Sequence, residues 1–96
     1  MELKDTKELM CSKDYKERFI AEYWQTKNRF EKLKNFNDII EASHRTSFGD
    51  AKLQVIEPEH DCPYDLLREQ QQVMGAYLHI LEVRAIIECI DLNDFE

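Results

Sequence analysis

Three hydrogen-bonding side chains recur at one spacing inside a segment rich in apolar residues: Gln70, Tyr77 and Arg84, each seven residues from the next. Seven residues is nearly two helical turns, so on a helix they line up as one stripe, flanked by Met74 and Leu81. A guanidinium presents a planar fork of donors that fits phosphate or carboxylate. A phenol adds a ring face and a hydroxyl, and an amide can read a ligand edge. One reading is an anion pocket at a helix–helix or subunit seam. The other is structural: a buried Arg84 neutralised by Glu22 or Glu88, because an unpaired buried charge costs several kcal/mol. The residues leave both open. A second group, Tyr15, Arg18 and Glu22, falls on adjoining turns of one side of an earlier segment. Arg18 and Glu22 stand four apart and suit a solvated surface pair, with Arg18 also a candidate second phosphate contact. The candidate ligand-binding residues are Arg84, Tyr77, Gln70, Arg18 and Tyr15.

Catalytic chemistry finds little to work with. His44, His60 and His79 have no recognisable Ser or Cys nucleophile context, and no GxSxG, Walker A or HExxH string occurs. Arg68 and His79 fall in the second apolar segment without a paired carboxylate constellation. Cys11, Cys62 and Cys89 are odd in number and contain no CxxC pair. His60-x-Cys62 is half of a zinc site whose other half is missing. The cysteines read as free thiols acting as small apolar residues. The expectation is no catalysis, no metal and no cofactor.

These side chains need elements to hold them. The chain has 96 residues, 43% hydrophobic and 34% charged, with two Gly and two Pro, which suits one small helical domain and not a turn-rich β-sandwich. A net charge of −7 without a basic tail argues against general nucleic-acid binding. No apolar run approaches the ~20 residues of a membrane span, and Met1-Glu2-Leu3-Lys4-Asp5 lacks a signal-peptide core, so a cytoplasmic protein is expected. Residues 1–45 carry ten basic and nine acidic groups, and residues 46–96 carry three and eleven, a balance of +1 against −8. That asymmetry favours antiparallel docking of the halves, or docking between chains.

Residues 1–11 read as a frayed or short helical lead-in. Ser12 can cap a helix, and Asp14 suits its positive end. Tyr15, Phe19, Tyr23, Phe30, Leu33, Phe36 and Ile40 then mark one helical face, with Ile20, Trp24 and Ile39 off it. The predicted helix covers about 12–42. Residues 43–61 break the pattern and form a loop or an extended arm, with a short strand possible over Ala51–Glu57. Pro63 suits the first position of a second helix, about 63–91, whose apolar residues cover well over half its circumference. One hairpin cannot bury so broad a surface. The expected architecture is all-α: two long amphipathic helices in a hairpin with an extended or short-strand connection, assembled as a homo-oligomer, at least a dimer. Gly75 marks the close approach of another backbone, and Trp24 is read as a subunit contact.

Two strings in order, Tyr15-x-x-Arg18-Phe19-x-x-Glu22 with Lys32-Leu33-x-x-Phe36, then Leu66-Leu67-x-x-Gln70-x-x-x-Met74-x-x-Tyr77-x-x-x-Leu81-x-x-Arg84, carry a resemblance. Over about residues 13–92 the chain resembles a family of small phage proteins related to a crAss-like phage protein of unknown role. The resemblance implies a short α-helical phage protein acting in the bacterial host's cytoplasm. By analogy with small phage oligomers that act as anti-defence sponges, the leading expectation is sequestration of a nucleotide immune messenger, a cyclic oligonucleotide or ADP-ribose-like molecule. The alternative is a helical protein–protein module that docks a host protein through Trp24, the acidic second half or the 43–61 arm.

Overall fold

The computed structural model describes residues 6–11, 13–47 and 54–93. Helix α1 spans Thr6–Met10, α2 spans Tyr15–Thr46 and α3 spans Tyr64–Ile87. The two long helices lie antiparallel, and α1 packs on the start of α2. The expected helical hairpin is present; no strand occurs among the described residues.

Helix α2 starts where a side chain supplies the missing acceptor. Asp14 holds extended backbone and its Oδ1 accepts from the Lys16 N–H at 2.9 Å, taking the cap expected of Ser12, which lies outside the described residues. The helix continues past residue 42 to Thr46. There the hydroxyls of Ser43 and Thr46 donate back to the Ile40 and Ala42 carbonyls. Pro63 sits one position earlier than expected, as the residue before the helix, with its carbonyl taking the Leu67 N–H at 3.1 Å.

The far end of α3 closes in a six-residue hydrogen-bonded turn. The Ile90 N–H donates to Ala85 O at 2.8 Å and the Cys89 N–H to Ile86 O at 3.4 Å, with Cys89 in the left-handed region at φ 56°. This stops the helix four residues before the expected 91 and turns Ile90 into the core. Glycine alone takes that conformation without a Cβ penalty. Cys89→Gly is therefore expected to raise stability by about 0.5–1 kcal/mol, read as a higher urea midpoint at unchanged slope.

Phe19, Ile20 and Tyr23 of α2 interlock with Leu78, Leu81 and Ala85 of α3, all under 9% exposed. Ile40 extends the buried line toward the connection. The predicted α2 stripe is only partly right: Ile20, off that stripe, is buried, whereas Tyr15, on it, is 48% exposed. Trp24 is not a free contact surface. It is half-buried edge-on to Tyr23, and its Nε1–H donates to the Leu92 carbonyl at 2.7 Å, tying the segment after α3 onto α2. Gly75 does mark a close approach, but by a ring: a Cβ there would lie 3.2 Å from Phe30 Cε1. The three cysteines are free, yet exposed and not apolar filler.

Among its described residues the connection is pinned without a strand. Within 54–63 the Val55 N–H donates to Thr46 Oγ1 at 3.1 Å, residues 54–57 are exposed and form no strand, and residues 51–53 of the predicted Ala51–Glu57 strand lie outside the described residues.

Candidate functional site

Four of the five predicted ligand residues meet at one end of the hairpin. Tyr15 opens α2, Arg18 follows one turn on, and antiparallel pairing brings the end of α3 alongside. The Tyr15 hydroxyl donates to Glu88 Oε1 at 3.1 Å, and Arg84 Nε–H donates to Glu88 Oε2 at 2.8 Å. One carboxylate thus takes a phenol and a guanidinium at once. The Arg84 guanidinium also lies over the Phe19 ring, 4.9 Å from its centroid, a cation–π contact that fixes its plane. Beside it the Tyr77 hydroxyl donates to Glu22 Oε1 at 2.7 Å. A depression of about 330 Å³, the lower end of the range for small-molecule sites, is lined by Met10, Tyr15, Arg18, Phe19 and Glu22. Tyr77 and Arg84 border it through Glu22 and Phe19.

Hydrogen bonds to charged partners set the protonation behaviour. The Arg84 guanidinium holds the Glu88 carboxyl below its ordinary range, and Glu88 in return raises Arg84. Hydrogen bonding to Glu88 and to Glu22 raises the Tyr15 and Tyr77 phenols, so both remain neutral donors at physiological pH.

Arg84 is not buried, contrary to the structural reading of the sequence. Its side chain is 49% exposed, and its partner is Glu88, four residues on along the same helix. The reason is register. The buried face of α3 runs through Leu78, Leu81 and Ala85, and Arg84 lies at its edge. Gln70 is exposed on the same stripe, about 10 Å down the helix from Tyr77, outside the cluster. Missed entirely were the Phe19 ring as a platform for Arg84 and Met10 as a wall. The signal for Phe19 was present, since it follows Tyr15 by four residues.

A second depression, also about 330 Å³, lies among Asp14, Lys16, Glu17, Ile20, Cys89, Ile90 and Asp91. Three carboxylates against one lysine make it a poor host for a phosphate.

Arg68 does have the paired carboxylates that the sequence seemed to lack. Its Nη2 reaches Asp38 Oδ1 at 3.2 Å and Glu41 Oε1 at 3.0 Å across the hairpin, Nη1 donates to Gln71 Oε1 at 2.7 Å, and Nε donates to the Tyr64 hydroxyl at 2.7 Å. Next to it Asn37, fully buried, donates through Nδ2 to the Leu67 carbonyl and to Gln71. Each nitrogen of the guanidinium is engaged, so this is a latch between α2 and α3. Its polarity reverses the expected one: the base comes from the acidic half and the acids from the other.

At the same end Glu57 Oε1 bridges His44 Nε2 at 3.0 Å and His60 Nε2 at 3.1 Å. His60 Nδ1 also faces the Cys62 carbonyl at 2.6 Å. A carbonyl only accepts, so Nδ1 carries a proton, and the carboxylate at Nε2 calls for a second one. His60 is accordingly raised above its ordinary 6.5, chiefly by Glu57, and Glu57 is lowered from 4.5, chiefly by His60. The raised imidazole stabilises the fold fully below 6.5 and stops doing so as pH rises through its folded value. The lowered carboxylate contributes above 4.5 and fades as pH falls. The clasp on the connection is therefore tightest between pH 4.5 and 6.5. NMR titration should give His60 a pKa above 6.5 that drops in Glu57→Gln; an unchanged value would refute the clasp. Among the described residues no group of three or more His, Cys, Asp or Glu could hold a metal ion.

With this geometry in hand, comparison with protein-family models returns a match to Sequestin over residues 13–87, from before Tyr15 to past Arg84. The chain belongs to the Sequestin family. No curated protein and no solved structure matches. The Sequestin match covers the two long helices, α2 and α3, and the connection between them, and it carries no link to a crAss-like phage protein. The family name points to sequestration and leaves open what is bound. No described helix is long and apolar enough to cross a membrane.

Proposed function

We propose that this Sequestin-family chain is a non-enzymatic phage protein that sequesters a nucleotide immune messenger, a cyclic oligonucleotide or an ADP-ribose-like molecule, in the host cytoplasm. The observation that carries the reading is the Glu88 carboxylate, which accepts from Tyr15 and Arg84 together. It occupies the position a phosphate oxygen would take. A phosphate entering there inherits a charge-assisted bond from Arg84 and a hydroxyl bond from Tyr15. Arg18 on the rim of the depression supplies further positive charge, and the phenol of Tyr77 stands beside it for a base or ribose. Glu88 and Glu22 must swing aside, which sets a threshold that a weakly charged anion would not pass. Holding a messenger needs no reacting group, only a slow release. The chain acts as a homo-oligomer in this reading, and a second copy closes the open side of the site.

The test is calorimetry of the wild-type chain with cyclic di- and trinucleotides and cyclic ADP-ribose isomers. Saturable heat with one of them supports the reading, and its absence across the panel removes it. The rival module reading loses Trp24, already engaged by Leu92, and keeps the exposed apolar side of α3 as its docking surface. A host protein retained by the chain, with no nucleotide heat, would favour it.

A further inference from the structure

Helix α3 leaves its apolar residues uncovered in a regular order. Leu66, Val73, Ile80 and Ile87 follow one another at seven-residue steps, 52%, 64%, 54% and 73% exposed. Ala76 and Val83 interleave with them, also exposed. This is the a and d pattern of a coiled-coil seam, with β-branched side chains at three of the four a positions. It runs about 32 Å along the helix. Monomers rarely leave a contiguous apolar patch of more than a few hundred Å² uncovered. The face turned to α2 is the opposite one, through Leu78 and Ala85, so a partner on the seam meets no obstacle from its own hairpin's packing.

We infer that two copies of this chain pair through the α3 seam in antiparallel orientation, and that each copy supplies Gln70 to the Arg84 site of the other. Charge selects the direction. Asp65 and Glu69 lie at the start of the seam and Arg84 near its end, all exposed. Parallel pairing would set Glu69, a d residue, against its own copy. Antiparallel pairing parts the two Glu69 carboxylates, brings each within about one helical turn of Arg84 of the partner subunit, and opposes the helix dipoles. Packing a against d then pairs Ile80 with Ala76 of the partner subunit and Val73 with Val83 of the partner subunit. The stripe Gln70, Tyr77, Arg84 falls at the e positions, which in an antiparallel pair face the e positions of the other helix. Arg84 therefore meets Gln70 of the partner subunit, and Tyr77 meets its own copy. The residue that a single chain leaves about 10 Å from the cluster joins it across the seam.

The site assignment rests on the sequestration reading; the pairing does not. Sedimentation of the full chain at tens of micromolar should give a two-chain species. Ile80→Glu should weaken association by about a hundredfold or more, because it places a carboxylate in an apolar seam. Its helical circular dichroism should stay unchanged, since Ile80 is exposed in the single chain. A nitroxide at Asp65→Cys, with Cys11 and Cys62 replaced by Ser and Cys89 by Gly, reports direction. Antiparallel pairing puts the two labels about 40 Å apart, and parallel pairing within about 15 Å. A monomeric wild type, an Ile80→Glu chain that still dimerises, or the short distance would each overturn the inference. Correct pairing with no nucleotide heat would leave the dimer standing and remove the ligand reading instead.

Discussion

Arg84→Ala is expected to weaken nucleotide binding by roughly 10- to 150-fold while leaving the fold intact. The size follows from the bond removed, since a hydrogen bond to a charged group contributes about 1.5–3 kcal/mol. The intact fold follows from position. The Arg84 side chain is 49% exposed and its ion-pair partner, Glu88, lies on the same helix, so truncation strands no charge in the core. Surface changes of this kind stay within about 0.5 kcal/mol of the parent. Had Arg84 been the buried half of an internal ion pair, the same substitution would have unfolded the protein, so the melting curve discriminates the two. Glu88→Gln should act in the opposite direction. It keeps an acceptor for Tyr15 but removes the charge that competes with phosphate for Arg84, and binding should tighten by up to about tenfold. Calorimetry of the two variants against the same ligand checks the pair. If Arg84→Ala binds as the parent does, the site is elsewhere. If Glu88→Gln binds more weakly, the carboxylate supports the ligand and does not stand in for it.

How much of this was legible in the sequence depends on which contacts are local. The helices, Asp14 at the first positive end, Tyr15 with Arg18 on one side of α2 and Tyr77 with Arg84 on one stripe of α3 follow from periods of three, four and seven. What failed were contacts between segments far apart in the chain. Arg68 looked unpartnered because Asp38 and Glu41 are 30 and 27 residues away and become neighbours only once the hairpin closes. Trp24 looked exposed because its partner, the Leu92 carbonyl, is 68 residues away and belongs to the backbone, where residue type carries no signal. The end of α3 was misplaced because its left-handed residue is a cysteine, and only Gly or Asn at that position announces such a stop.

The broad apolar surface of α3 was also legible as a quantity, but not as an assignment of faces, and a pair of truncations reads that assignment out. Leu81 is 2% exposed and enclosed by the Phe19, Ile20 and Tyr23 layer, whereas Ile87 is 73% exposed. The two are six residues apart and are both large and aliphatic. Leu81→Ala removes buried methyls and leaves a cavity, a loss of about 2–5 kcal/mol. For a chain of this size that lowers the melting temperature by roughly 8–40 °C, since each kcal/mol moves it about 4–8 °C. This loss should be the same at every protein concentration. Ile87→Ala should do nothing to the dilute single chain, because its methyls already face water and Ala is the better helix former. At concentrations where copies pair, it should lower the melting temperature and flatten its dependence on concentration, because binding of a second copy is what raises stability there. Melting curves from about one to a few hundred micromolar separate the two outcomes. Equal, concentration-independent losses in both variants would mean that Ile87 is buried within one chain, and the division of α3 into an inner and an outer face would fall with it.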